Sequence, residues 1–239
     1  MSHPLSIFGA TRIINLASRS DRRAEMRAQL RHIGVPDDAP DVAFFDAVRP
    51  DDAGGFPTLG TRGCFLSHLG VLEQAVARGH ESVLILEDNL NFSADFRLHI
   101  TAVSAALARS QWSIFYGGYA IEGQAAAAHA DAICAIDPVR PVTGAHFVAF
   151  RGSALQDMPA YLRAIMGRTP GHADGGPMHV DGAYSRFRRE HPDLQTLVAL
   201  PQLGYQRASR SDIHPLRWYD DWPLVREGVD WIRKRKNVS

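Results

Sequence analysis

The chain has 239 residues, 45% of them hydrophobic and 22% charged, and its 26 Lys and Arg balance 26 Asp and Glu. This is the composition of an ordinary globular protein, and it excludes disordered, collagen-like and coiled-coil chains. Zero net charge excludes a general nucleic-acid binder, which needs a basic face to neutralise phosphates, but not a small anionic ligand held by local positive charge.

Short apolar runs alternate with amphipathic stretches, which is the pattern of an α/β fold. Arg12-Ile13-Ile14-Asn15-Leu16 reads as a short buried strand that ends in a polar loop. Residues 18–21 supply helix-capping chemistry, and Met26, Leu30 and Ile33 follow at helical spacing until Gly34 and Pro36 stop the helix. Val42-Ala43-Phe44-Phe45 is a second strand, followed by a loop rich in Asp, Gly and Pro over residues 48–63. Phe65, Leu69, Leu72 and Val76 mark a helix that opens at Gly63 and is capped by Gly79. Val83-Leu84-Ile85-Leu86 has the unbroken apolar character of a central parallel strand buried on both faces, and it stops abruptly at Glu87-Asp88-Asn89. Further strands are expected at 114–116, 133–136, 146–150 and 197–200, with a Gly/Pro/His-rich loop over 167–178. The stretch 123–132 carries no pattern, and residues 231–236 form a basic amphipathic helix or a disordered end. With neither a repeat nor a linker, one domain over residues 1–239 is the simplest division.

The two cysteines, Cys64 and Cys134, lack a C-x-x-C spacing, so neither a disulfide framework nor a zinc finger is indicated and a reducing compartment fits. The N-terminus has no charged segment leading into an apolar one, and no run approaches the roughly 20 apolar residues that span a bilayer. A soluble, cytoplasmic protein is expected.

The sharpest chemical feature is Glu87-Asp88-Asn89 at the end of the most hydrophobic strand. Ligands of open α/β sheets sit outside the carboxyl ends of the strands, and oxygens there suit Mg²⁺ or Mn²⁺ bridging to phosphates. The alternative is a solvated loop or the cap of the next helix. The second feature is the segment 15–22, where Arg19 and Arg22 at a helix start suit an anionic or nucleotide group, or simply an exposed helix beginning. The third is Gly63-Cys64-Phe65-Leu66-Ser67-His68. No acidic residue is spaced in sequence to orient His68 and no Gly-x-Ser-x-Gly elbow occurs, which argues against a serine hydrolase and for a structural Ser-His pair.

In order, these segments resemble glycosyltransferase family 25, the lipooligosaccharide and procollagen galactosyltransferase-like enzymes. The matching blocks are Ile14-Asn15-Leu16 with Arg19, Asp21 and Arg22, then Gly63-Cys64 with Ser67-His68, then Leu86-Glu87-Asp88. Later blocks are Phe115-Tyr116-Gly117-Gly118, Thr143-Gly144-Ala145-His146, Val180-Asp181, and Pro201, Gln206 and Ser211-Asp212-Ile213. The resemblance runs from about residue 12 to 213 and leaves 214–239 as an extension with a basic tail. The family's acidic block ends in a second Asp where this chain has Asn89.

The resemblance implies a GT-A-type fold, a Rossmann-like mixed sheet flanked by helices. It also implies a UDP-sugar donor, usually UDP-galactose, and a glycan or lipid-linked glycan acceptor, with inversion at the anomeric carbon. Nucleotide-sugar contacts are then expected from Asn15, Leu16, Arg19, Arg22, Ser67, His68, Glu87 and Asp88. The cofactor would be a divalent metal, Mn²⁺ or Mg²⁺, held by Asp88 and Asn89, with lower affinity because Asn89 offers a neutral carbonyl. Asp181 is the expected base, with a helix cap as its alternative. Asp212 is the second catalytic candidate or an aid to the metal. Trp218, Tyr219 and Trp222 suit stacking on sugars or packing on the core. The basic residues 233–236 suit peripheral contact with anionic lipid at the inner face of the membrane. Two other readings stand beside active transfer: a catalytically silent relative that binds a nucleotide sugar or glycan, and an unrelated nucleotide-binding α/β enzyme.

Overall fold

In the computed structural model, which describes residues 3–121 and 131–207, strand and helix alternate through most of the chain. A 3-10 turn at Ser6–Phe8 leads into β1 (Ala10–Asn15), α1 (Ser20–Ile33), β2 (Val42–Asp46), α2 (Leu59–Ala77) and β3 (Ser82–Glu87). Then come β4 (Leu90–Phe92), α3 (Phe96–Ala108), β5 (Ile114–Ala120), β6 (Ile133–Ala135) and β7 (Thr143–Arg151). The described chain closes with α4 (Ser153–Met166), α5 (Val180–Glu190), β8 (Thr196–Ala199) and β9 (Gly204–Gln206). Asp212, the aromatic cluster Trp218, Tyr219 and Trp222, and the basic tail lie outside the described residues. Among the described residues, no helix is long and apolar enough to cross a membrane.

Seven strands form one sheet in the order β2-β1-β3-β7-β5-β8-β6, and β4 pairs with β9 in a separate ribbon. β1 runs parallel to β2 and β3, whereas β7 is antiparallel to both β3 and β5. β3, expected as a wholly parallel strand, is therefore parallel on one side only. Its near-complete burial follows instead from helices on both faces of the sheet. Alternate side chains go to opposite cores: Ala10, Ile14, Val83, Ile85, Val148 and Phe150 to one, Ile13, Leu84, Leu86, Phe147 and Ala149 to the other. The first core is closed by α2, α4 and α5, the second by α1 and α3.

Two helix starts differ from the sequence reading. α1 has Arg19 at its N-cap and no side-chain cap, so the polar residues at 18–21 do not cap it as expected. Its end is as expected, with Gly34 in the left-handed region at φ 89°. α2 begins at Leu59, four residues before Gly63, because the Thr58 hydroxyl accepts the Thr61 amide at 3.0 Å.

Gly63 therefore lies inside α2, where the loop after β2 crosses the helix. A Cβ there would meet the Val48 carbonyl oxygen at 2.8 Å and Pro50 Cδ at 3.3 Å. Alanine in a helix interior gains up to about 1 kcal/mol over glycine. Forcing backbone apart in a packed site costs about 1–3 kcal/mol, so the clash wins. Gly63→Ala is expected to lower the unfolding free energy in urea, and an unchanged or raised midpoint would show that the loop is not pressed onto the helix.

Candidate active site

The parallel pairing of β1 with β3 puts Ile14 opposite Glu87, so Asn15 and Asp88 leave the sheet side by side at its carboxyl edge. The Asp88 amide donates to the Ile14 carbonyl at 3.1 Å, which fixes the backbone there. One Asp88 oxygen accepts from the Asn15 side-chain amide at 2.8 Å, and the other accepts from Arg22 at 3.2 Å. Arg22 comes from the first turns of α1. Arg23, next to it, donates to the Asn15 side-chain oxygen at 3.1 Å, and Arg207 donates to the Asp88 carbonyl at 2.9 Å. Asn15, Arg22 and Asp88 are 1%, 8% and 7% exposed. A charge so withdrawn from water persists only with partners, which here are Arg22 and the Asn15 side-chain amide. Burial raises the Asp88 carboxyl above its ordinary pKa, with the neighbouring charge of Glu87 adding to it. Asn15 and Arg22 pull the other way without cancelling the rise.

Glu87 serves a different set of partners. Its Oε1 lies 3.4 Å from His68 Nε2 and 4.0 Å from Cys64 Sγ. Cys64 and His68 are one helical turn apart on α2, so they present to the same side. His68 Nδ1 lies 3.1 Å from the Tyr184 hydroxyl of α5. Burial would raise the Glu87 carboxyl, but the hydrogen bond and charge of His68, with the charges of His146 and Arg22, outweigh it and hold the carboxyl below its ordinary value. The Cys64 thiol is pushed well up by burial and then by the charges of Glu87 and Asp181. His146 is 6% exposed, and neither ring nitrogen has a hydrogen-bond partner among the described residues. Burial lowers its pKa.

Asn15, Arg22, Asp88, Cys64, His68 and Glu87 line one cleft of about 480 Å³, a size usual for small-molecule sites. Asn15, Leu16, Arg19, Arg22, Ser67, His68, Glu87, Asp88 and Asn89, which the sequence singled out in three separate segments, all line it. Ser67 does so with its hydroxyl engaged: it donates to the Gly63 carbonyl at 2.6 Å and accepts the Val48 amide at 2.8 Å. It latches the loop onto α2. Asp181 is not among the lining residues. It sits in the first turn of α5, where His179 is the N-cap, so it is not the helix cap either. One oxygen accepts the Gly144 amide at 2.9 Å, which ties α5 to β7, and the other accepts the Gly182 amide of its own helix at 2.8 Å. The sequence reading gave no role to Val48, Arg49 and Pro50 of the cleft wall, to Cys64 as a partner of Glu87, or to Tyr184 and Arg207. For Cys64 a signal existed: it precedes His68 by four residues in a helix.

The residues arranged around Asp88 do not fit a hard cation. Both Asp88 oxygens already accept one hydrogen bond, and an ion on their remaining lone pairs would sit against the Arg22 cation that already balances this carboxylate. Asn89 does carry a buried side-chain oxygen without a hydrogen-bond partner among the described residues, but it is a neutral donor. The ligand atoms that come together instead belong to Cys64, His68 and Glu87, all within 4.8 Å of one another.

Residues 10–122 match the family described as Glycosyltransferase family 25 (LPS biosynthesis protein). The inactive glycosyltransferase 25 family member 3 of Homo sapiens is 31% identical over 124 residues, covering 44% of this chain and 21% of that protein. The procollagen galactosyltransferase 1 of Danio rerio is 31% identical over 124 residues, covering 44% of this chain and 20% of that protein. The chain thus spans about a fifth of the length of these relatives. Among solved structures, a glycosyltransferase involved in glycosylation of the major capsid of PBCV-1 superposes with a TM-score of 0.50 at 10% identity, over 84% of this chain and 95% of that one. The likeness is one of fold: a GT-A-type mixed sheet flanked by helices.

The depressed Glu87 pKa gives stability a definite pH dependence. The unfolded carboxyl takes up its proton as the pH falls past about 4.5, while the folded one resists until a lower pH. Its contribution is therefore complete above 4.5 and is lost as the pH falls through the folded value. Glu87→Gln is expected to reduce the urea midpoint at pH 7 and to reduce it less, or not at all, well below pH 4.5. A pH-independent difference would contradict the His68–Glu87 pairing.

Proposed function

We propose, from the match of residues 10–122 to glycosyltransferase family 25, that the chain is a member of that family and transfers a sugar, galactose by preference, from a UDP-sugar to a glycan hydroxyl with inversion. The observation that carries this reading is the meeting of three segments in one cleft at the carboxyl ends of β1 and β3, beside the start of α1. Three arginines, Arg19, Arg22 and Arg49, face two carboxylates in its lining. These guanidinium donors, with Arg19 held in place by Asp21 at 2.8 Å, and the positive end of the α1 dipole favour a diphosphate. In this reading the nucleotide lies along Asn15 and Leu16, and the arginines stabilise the departing UDP.

Glu87 fits the role of base better than Asp181, because it lines the cleft, whereas Asp181 accepts two backbone amides and is not among the lining residues. The acceptor hydroxyl attacks the anomeric carbon as its proton passes to Glu87. The new C–O bond forms on the face opposite the breaking bond to the diphosphate oxygen. His68 and Tyr184 hold Glu87 in place, so much of the rate comes from positioning. No step here runs through Mn²⁺ or Mg²⁺, because the Arg22 guanidinium already balances the charge of Asp88 and the neighbouring Asn89 adds none. We place the acceptor among surface or lipid-linked glycans and the protein in the cytoplasm, with the basic residues 233–236 touching the inner membrane face.

A second reading is a silent member that binds a nucleotide sugar without turnover. It is favoured by Asn89, which stands where the family's acidic block has Asp, and by the human relative whose name marks it inactive.

Incubation with a panel of UDP-sugars and glycan acceptors, with UDP release and product measured, separates the two. Transfer is expected, and Glu87→Gln should slow it by about 10²–10⁴-fold while leaving UDP affinity within a few-fold. Binding without transfer on any acceptor establishes the silent member. Failure to bind any UDP-sugar contradicts both readings.

A further inference from the structure

We propose that Cys64, His68 and Glu87 form a site for one transition-metal ion of the Zn²⁺ class, separate from Asp88 and Asn89. The contacts within this trio are long for hydrogen bonds. His68 Nε2 to Glu87 Oε1 is 3.4 Å and Cys64 Sγ to the same oxygen is 4.0 Å, whereas a good N–H···O bond is about 2.7–3.2 Å. They are close to the edges of a ligand tetrahedron. With Zn–N and Zn–O near 2.0 Å and Zn–S near 2.3 Å, ligand atoms stand roughly 3.3–3.5 Å apart. All three ligand atoms already lie within 4.8 Å of one another, so small side-chain rotations close the set.

The backbone favours the arrangement. Two ligands sit one turn apart on α2, and the third ends β3, so an ion would join the helix to the strand it packs on. The Tyr184 hydroxyl on His68 Nδ1 leaves Nε2 turned toward Glu87, which is the outer contact that orients a ligating imidazole. Thiolate and imidazole select Zn²⁺ or Co²⁺ over Mg²⁺ and Mn²⁺. Three protein ligands beside an open cleft leave a fourth position for water or a ligand oxygen. On binding, the Cys64 thiol loses its proton to solvent and its sulfur bonds to the metal, so one proton is released per ion. If Glu87 is the base, as proposed above, bound Zn²⁺ withdraws it from the acceptor and suppresses transfer. The binding claim itself does not depend on that reading.

The test is Co²⁺ titration of the chelator-treated full chain, read by absorption. A thiolate-to-cobalt charge-transfer band with the visible bands of tetrahedral Co²⁺ is expected at one equivalent, and Zn²⁺ should bleach it. Cys64→Ser should abolish the charge-transfer band, and Cys134→Ser should keep it. Tyr184→Phe should keep the band with affinity reduced about 10–100-fold. Should Cys64→Ser fail to fold, Zn²⁺ protection of Cys64 against alkylation in the wild-type chain gives the same answer. No charge-transfer band, its survival in folded Cys64→Ser, or alkylation of Cys64 unaffected by Zn²⁺ overturns the proposal. A chain that binds Co²⁺ in this way yet never turns over a UDP-sugar keeps the site and loses the transfer reading.

Discussion

The contact on which the cleft depends is the buried pairing of Asp88 with Arg22 and Asn15. Asp88 ends β3, Asn15 ends β1 and Arg22 begins α1, so one carboxylate ties the two parallel strands to the helix between them in sequence. The cost of leaving a carboxylate unpaired at 7% exposure makes that geometry close to obligatory. Arg23 on Asn15 and Arg207 on the Asp88 carbonyl complete the cage. The loop after β1 and the start of α1 therefore reach the cleft already in place, and a ligand need not order them.

A second, separately wired system lies on the α2 side. Glu87, adjacent to Asp88 in the chain, turns to His68 and Cys64, and through His68 to Tyr184. Two neighbouring carboxylates thus carry opposite pKa shifts, Asp88 upward and Glu87 downward. Such divergence in one cleft is the usual mark of groups with different tasks. Here one organises the backbone and the other faces the ligand space. The two also differ in what they can bind: Asp88 is committed to Arg22, whereas Glu87 stands with a thiol and an imidazole.

Much of this was legible in the sequence where local chemistry and position agree. Val83 to Leu86 could only be a buried strand, and polar residues at its end had to be at the sheet edge. The three segments that line the cleft were each visible as short motifs. The partners that give them their roles were not, because Tyr184 and Arg207 are joined to them by tertiary contacts more than 100 residues away in sequence. The start of α2 was misread because Asp, Gly and Pro before Gly63 look like loop, while the Thr58 cap outweighs the glycines at 60 and 63. α3 and α4 were missed, although Phe96, Ile100, Val103 and Leu107 keep helical spacing. Asp181 is the base expected from its motif, and its oxygens accept two backbone amides in the structure. Residue type and a motif position cannot reveal which way a carboxylate points.

The central claim is that the cleft between β1, β3 and α1 holds the donor diphosphate through arginine, with Asp88 kept as a structural anion. A crystal structure of the chain with UDP tests it most directly. The account predicts diphosphate oxygens on Arg19 or Arg22 in this cleft, with the Asp88–Asn15 contact intact. UDP bound elsewhere, or bridged to Asp88 by a metal ion with Arg22 displaced, would contradict it.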